Sequence, residues 1–282
     1  MSRKALQILS AAMFIAGLCL AARAQSTFQT APCDDRDGWN TQNINGSRFH
    51  HCELRTTKLT ANGQQLEVDT VNGGIAVVGE DRTDIQLEAR VESWANSQAD
   101  ADKRAQETTI HTDGNRVHAD TPHNWIGPNN EAVSFRLHVP RHYSVKLDDV
   151  NGGISVANLD GSMKLTSENG GISLRDVAGD VQSRSVNGSI NIAVGGDRWQ
   201  GTGVVAETTN GSASITLPEN YSAHLEAGVI NGTLRFEFPL KMSHFDSKQI
   251  SADIGKGGAP IRLHTVNGSV SIRRERGDKG LV

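Results

Sequence analysis

Apolar and polar residues alternate through most of the chain between Leu66 and Ile272, and the alternation recurs in blocks built around Asn-Gly. Asn-Gly followed by Gly, Ser or Thr occurs at Asn72, Asn151, Asn169, Asn187, Asn210, Asn231 and Asn267. Six residues before each asparagine stand Leu66, Val145, Met163, Val181, Val204, Leu225 and Ile261. Three residues after it come Ile75, Ile154, Ile172, Ile190, Ala213, Leu234 and Val270, and five after it Val77, Val156, Leu174, Ile192, Ile215, Phe236 and Ile272. Each block therefore predicts a half-buried strand, a corner and a second half-buried strand. An eighth Asn-Gly, at Asn45, lacks the flanking apolar positions.

From Asn151 onward the intervals are 18, 18, 23, 21 and 36, the last close to two repeats with one degenerate copy around "FPLKMSHFDSKQISADIGKGG". Asn-Gly suits a corner that needs positive φ, which Gly adopts freely and Asn tolerates. A meander of hairpins would use such corners too. Stacked coils explain in addition why successive blocks are alike, because an asparagine at the same corner of every coil can hydrogen-bond its neighbours. Gly161 and Gly179, ten residues after their asparagines, mark a second corner. The expectation is an all-β chain, a β-solenoid (β-helix-like) of short strands with Asn-Gly corners.

Two stretches interrupt the blocks. "SWANSQADADKRAQETT", Ser93–Thr109, is rich in Ala, Gln and charge and predicts a short surface helix over about 93–109. "TIHTDGNRVHADT" predicts a hairpin turning at Asp113-Gly114.

The first 24 residues read as an export signal: Arg3 and Lys4, a long apolar stretch, then Ala22-Arg23-Ala24 before the expected cleavage. The apolar run is short for a membrane span. Removal leaves 282 − 24 = 258 residues with a charge of 25 − 32 = −7, which argues against a nucleic-acid partner. It also removes Cys19 and leaves Cys33 and Cys52, an even pair that an oxidising compartment would bridge. Closing their loop is worth roughly 3 kcal/mol on a chain-entropy basis. The expected organisation is a leader 1–24, a disulfide-bearing segment 25–53, the solenoid 54–273 and a flexible tail 274–282.

The stretches "VNGGIAV", "FRLHVPRHYSVKLDDVNGGISV", "LTSENGGISL" and "SRSVNGSINI", with the Ala-rich insert between the first two, resemble the bacterial "putative adhesin" family, a domain of unknown function rich in β-strands. The likeness runs from about Leu54 to Arg273 and leaves out Gln25–Glu53. It implies an exported, non-enzymatic, solenoid-like protein in the periplasm, on the outer membrane or outside the cell, and it brings no binding residues with it.

Candidate chemistry is sparse. Polysaccharide lyases and hydrolases on β-helices need clustered carboxylates. Here the outward column three before the asparagine mixes Asp69, Asp148, Thr166, Arg184, Glu207, Gly228 and His264. Adjacent Asp148 and Asp149 point to opposite faces of a strand. Four after the asparagine, Ser155, Ser173, Asn191 and Ser214 form a mostly hydroxylated strip, the candidate binding face. His111 and His118 fall on one face of the predicted hairpin, diagonally placed, with His123 nearby; with no carboxylate or thiolate counted beside them, no metal or cofactor is expected. Nucleotide and nucleophile-elbow motifs are missing from the sequence. Arg276-Gly277-Asp278 lies in the tail. The sequence thus predicts a non-catalytic envelope scaffold or adhesin-like surface whose partner is an envelope protein or glycan, with a carbohydrate-active enzyme as the alternative. Open solenoid ends add possible self-association.

Overall fold

The computed structural model describes residues 27–34, 49–122, 131–238 and 248–275, together with the backbone of 241–246. The expected leader, Asn45, His123 and the Arg276–Asp278 tripeptide lie outside the described residues.

Strand alternation builds a β-solenoid-like body with two hydrogen-bonded runs joined at the Asn-Gly corners. In the first run, Leu66–Asn72, Val145–Asn151, Asp160–Ser167, Ala178–Asn187 and Gly203–Asn210 stack in parallel with Asn over Asn. In the second, Ile75–Glu80, Ile154–Ala157, Ile172–Arg175, Ile190–Ala193 and Ala213–Leu217 do the same. Period-2 patterning sends alternate residues inward. Leu147, Leu165, Val181, Ile154, Ile172 and Ile190 are all buried in one core. That core is thin and aliphatic, as a body only two strands deep requires.

The stacking order departs from chain order at the C-terminal end. Pro260–Arg274, the last strand, runs unbroken through its corner and lies directly on the Asn210 coil. Ala223–Phe236, earlier in sequence, packs outside it, with Asn231 beside Asn267. Among the described residues, the expected degenerate coil between them is replaced by an antiparallel pair. Lys241–Asp246 and Gln249–Ile254 form an antiparallel pair, and the second covers the edge of Ala223–Gly228. The 36-residue interval is therefore a hairpin excursion followed by an inserted coil.

The N-terminal end is also antiparallel. Gln29–Pro32, Phe49–Thr60, Asp84–Ala95 and Glu131–Pro140 extend the second run, and Glu131–Pro140 pairs in parallel with Ile75–Glu80. The disulfide Cys33–Cys52, with 5.6 Å between Cα atoms, holds the edge strand Gln29–Pro32 to its neighbour.

The helix spans Gln98–Glu107, shorter than the 93–109 expected. Ser93, Trp94 and Ala95 belong to Asp84–Ala95, where all three are buried. Burying Trp94 outweighs the helix preference of its neighbours. Ser97 then starts the helix by accepting the Asp100 N–H at 3.2 Å. Arg55 ends it, donating to the Ala105 and Thr108 carbonyls at 2.7 and 2.6 Å. Ala101 and Ala105 are fully buried. The hairpin Thr109–Asp113/Arg116–Asp120 extends the first run, with Arg116–His118 alongside Glu67–Asp69.

Candidate functional site

The seven corner asparagines form one continuous file. Asn151 donates to Asn72 at 3.0 Å, Asn169 to Asn151 at 3.0 Å, Asn187 to Asn169 at 2.9 Å and Asn210 to Asn187 at 3.0 Å. Asn267 donates to Asn210 at 2.9 Å and Asn231 to Asn267 at 3.0 Å. All six of these bonds run in the same direction along the file. None of these asparagines has positive φ; among the described non-glycine residues, Asn158 (φ 56) and Asp176 (φ 51), seven residues after Asn151 and Asn169, do. The positive-φ rationale for the corner asparagines is therefore replaced by side-chain stacking. Their glycines follow a related logic. A Cβ on Gly152, Gly170, Gly188 or Gly211 would run into the carbonyl of the glycine one coil away. Close approach, rather than backbone handedness, excludes a side chain there.

Two residues before each asparagine, an inward column went unread in the sequence: Thr70, Asp149, Ser167, Ser185, Thr208, Val229 and Thr265. Ser185 donates to the Gly170 carbonyl at 2.9 Å, Thr208 to Gly188 at 2.7 Å and Thr265 to Gly211 at 2.8 Å. Each hydroxyl ties its coil to the corner below. The signal was present, since six of the seven residues in that column are polar where the flanking inward positions are apolar or small.

Asp149 breaks this column. It is 3% exposed, and its Oδ2 accepts from Ser167 at 3.3 Å. Burial pushes its carboxyl up to about 7, against the opposing pull of the Ser167 hydroxyl and the Gly152 amide.

Of the expected binding strip, Ser155, Ser173 and Asn191 sit side by side and exposed on the outer face of the second run. Ser214 follows in register but is buried at 8%, its hydroxyl donating to Asn191 Oδ1 at 2.7 Å. It supports Asn191 instead of presenting itself.

The strip leads into a cleft of about 570 Å³ beside the asparagine file. Gly73, Gly74, Gly152 and Gly153 line it together with Trp94, Glu92, Arg136 and Ser155. Glycines leave the backbone bare there, beside the side chains of Asn72, Asn151 and Asn169. Glu92 lies 3.2 Å from an Arg90 nitrogen and 3.4 Å from His50 Nε2, and His50 stacks on Trp94 at 5.0 Å. Cys52 follows two residues after His50, so the disulfide-anchored strand builds that wall.

On the first run's outer face, register places Asp69 beside Asp148. Arg116 holds Asp69 at 2.9 Å and Lys146 lies 3.6 Å from Asp148, and both carboxylates are about 40% exposed. Glu67–Lys146 (3.3 Å), Arg184–Glu207 (2.5 Å) and Arg262–Glu226 (2.8 Å) continue this mixed-charge surface. The carboxylates are engaged by cations along the sheet and do not converge on a substrate-sized space.

Residues 141–273 match the Toastrack DUF4097 family. The Toastrack match holds the coils from Asn151 to Asn267 and is just under half of the 282 residues. It is narrower than the likeness expected from Leu54 onward. The Asn72 coil, the helix and the disulfide strands fall before it. No curated protein matches the sequence. Among solved structures, the chain is similar to a "putative cell adhesion protein" from Clostridium sporogenes ATCC 15579, with 11% identity and a TM-score of 0.47, over 79% of this chain and 99% of that one. A "putative adhesin" from Bacteroides fragilis NCTC 9343 shares 13% identity at a TM-score of 0.35, over 78% and 96%. A "putative lipid binding protein" from Parabacteroides distasonis ATCC 8503 shares 11% identity at 0.33, over 80% and 97%.

Proposed function

We propose that this Toastrack-containing protein is an exported, non-catalytic scaffold of the cell envelope that binds an extended glycan or an envelope protein along its second run. The observation that carries the reading is the unbroken path from exposed Asn191, Ser173 and Ser155 into the glycine-lined cleft. Hydroxyls, amides, one guanidinium and one carboxylate over bare backbone suit a ligand rich in hydroxyl groups or exposed peptide. Such a surface gains from many modest hydrogen bonds, each about 0.5–1.5 kcal/mol, and needs no single strong anchor. Paired cations on the opposite face support the non-catalytic part of the reading, and the apolar leader with its cleavage pattern supports export.

Immobilised envelope polysaccharides and envelope extract, incubated separately with the intact protein and with a Ser155→Glu/Ser173→Glu variant, test it. We expect binding to one arm, reduced at least tenfold in the variant, with no change in ligand size. Equal binding by the variant would remove the strip from the argument. Release of shortened saccharide would replace the scaffold with the carbohydrate-active enzyme considered from the sequence.

A further inference from the structure

The hairpin Thr109–Asp113/Arg116–Asp120 carries a cluster that plays no part in the scaffold reading. His111 and His118 are not diagonal but directly opposed in the antiparallel register. Their rings stack at 4.8 Å between centroids, 15° from parallel. Asp120, two residues after His118 and therefore on the same face, brings its Oδ2 to 3.0 Å from His111 Nε2. One donor atom from each of the three residues lies within 4.8 Å of the others. The ring nitrogen Nδ1 of His118 is shielded from solvent and has no hydrogen-bond partner. A lone pair or N–H left unsatisfied in this way is unfavourable unless something arrives to use it.

We propose that His111, His118 and Asp120 form a surface site for a borderline divalent transition-metal ion, with zinc as the representative. Two imidazoles and one carboxylate are the donor set such ions prefer, whereas magnesium and calcium favour all-oxygen shells. The surrounding charge favours a cation. Asp69 and Asp113 share this face with Asp120, and the nearby Arg116 is engaged by Asp69 at 2.9 Å. Partial exposure of His111 and Asp120, 35% and 71% for their side chains, leaves open positions for water and predicts a labile rather than a structural ion. Among the described residues, the other grouping of this kind, His50, Cys52 and Glu92, has its sulfur in the disulfide and its carboxylate on Arg90. It serves as the comparison.

Titrating the intact protein with zinc chloride by calorimetry, alongside magnesium, is the test, with imidazole nitrogen resonances followed by NMR. One equivalent of zinc should bind, shifting the His111 and His118 resonances and sparing His142, while magnesium gives no heat. His111→Gln and His118→Gln should each weaken binding at least tenfold, Asp120→Asn by severalfold, and His50→Gln not at all. Far-UV circular dichroism identifies any variant that has lost the fold; the NMR arm on the unaltered protein does not depend on variants. Unmoved His111 and His118 resonances at saturating zinc, or unchanged affinity in a folded His111→Gln/His118→Gln variant, would overturn the site.

Discussion

A carboxyl group withdrawn from water favours its neutral form, and Asp149 is buried between Thr70 and Ser167 in the inward column. Its value of about 7 stands above the ordinary 3.8. Between those pH values the folded chain holds a proton that the unfolded chain has released. The stability linked to that proton is complete below about pH 4 and is lost as pH rises through 7. Asp149→Ser would place at this coil the hydroxyl used by Ser167 and Ser185 and end the titration. The variant should be more stable than the unaltered protein at pH 8, by on the order of 2–4 kcal/mol. The gap should close near pH 4. A constant difference across that range, measured by thermal unfolding in several buffers, would show that Asp149 does not titrate as described. The sequence exposed the opposite facing of Asp148 and Asp149 but not this consequence, because the alternation that buries a residue is silent about the solvent it loses.

At the scale of elements, the hydrogen bonds along the asparagine file do what a turn preference alone would not: they hold each corner in register over the next. A file of amides needs both a donor and an acceptor at each step. Asn169 receives from Asn187 and gives to Asn151. Asn169→Ala should lower stability by about 1 kcal/mol, the usual scale for exposed and partly exposed bonds. Asn169→Asp should be worse at pH 7, because a carboxylate keeps the acceptor for Asn187 but faces the Asn151 oxygen with nothing to donate. Denaturant unfolding of the two variants decides the order; an aspartate variant as stable as the alanine one would make the file incidental. The strands and the hairpin were legible because each writes a period of two over several residues. The helix was legible in kind but not in extent. Its first turn depends on Ser97, whereas Ser93–Ala95 are claimed by burial against neighbours far away in sequence. The cleft was not legible at all, since Trp94, Arg136 and the corner glycines come from separate segments that only coil stacking brings together.

At the scale of the whole molecule, the swapped order of the last two coils sets how the C-terminal end can form. Ala223–Phe236 has ladder partners in Pro260–Arg274 and Gln249–Ile254, and the body ends at Gly203–Leu217, on which Pro260–Arg274 sits. No interval in the sequence distinguishes this from simple stacking, because Asn231 and Asn267 carry the same flanking pattern and either coil would fit the Asn210 edge. The excursion through Lys241–Asp246, which reads in the sequence as a degenerate repeat, makes the difference. The inserted strand therefore acts as the join between the body and the outermost coil. A chain ending at Gly255 lacks that join, and a strand with only a short antiparallel pair beside it is marginal alone. Hydrogen exchange should then be fast over Ala223–Ile254 and remain slow over Val145–Leu217, even though only residues beyond 255 were removed. Retained protection over Ala223–Phe236 would mean that this coil docks on the Asn210 edge by itself, and that the order of the last two coils is a consequence of chain length and not of their contacts.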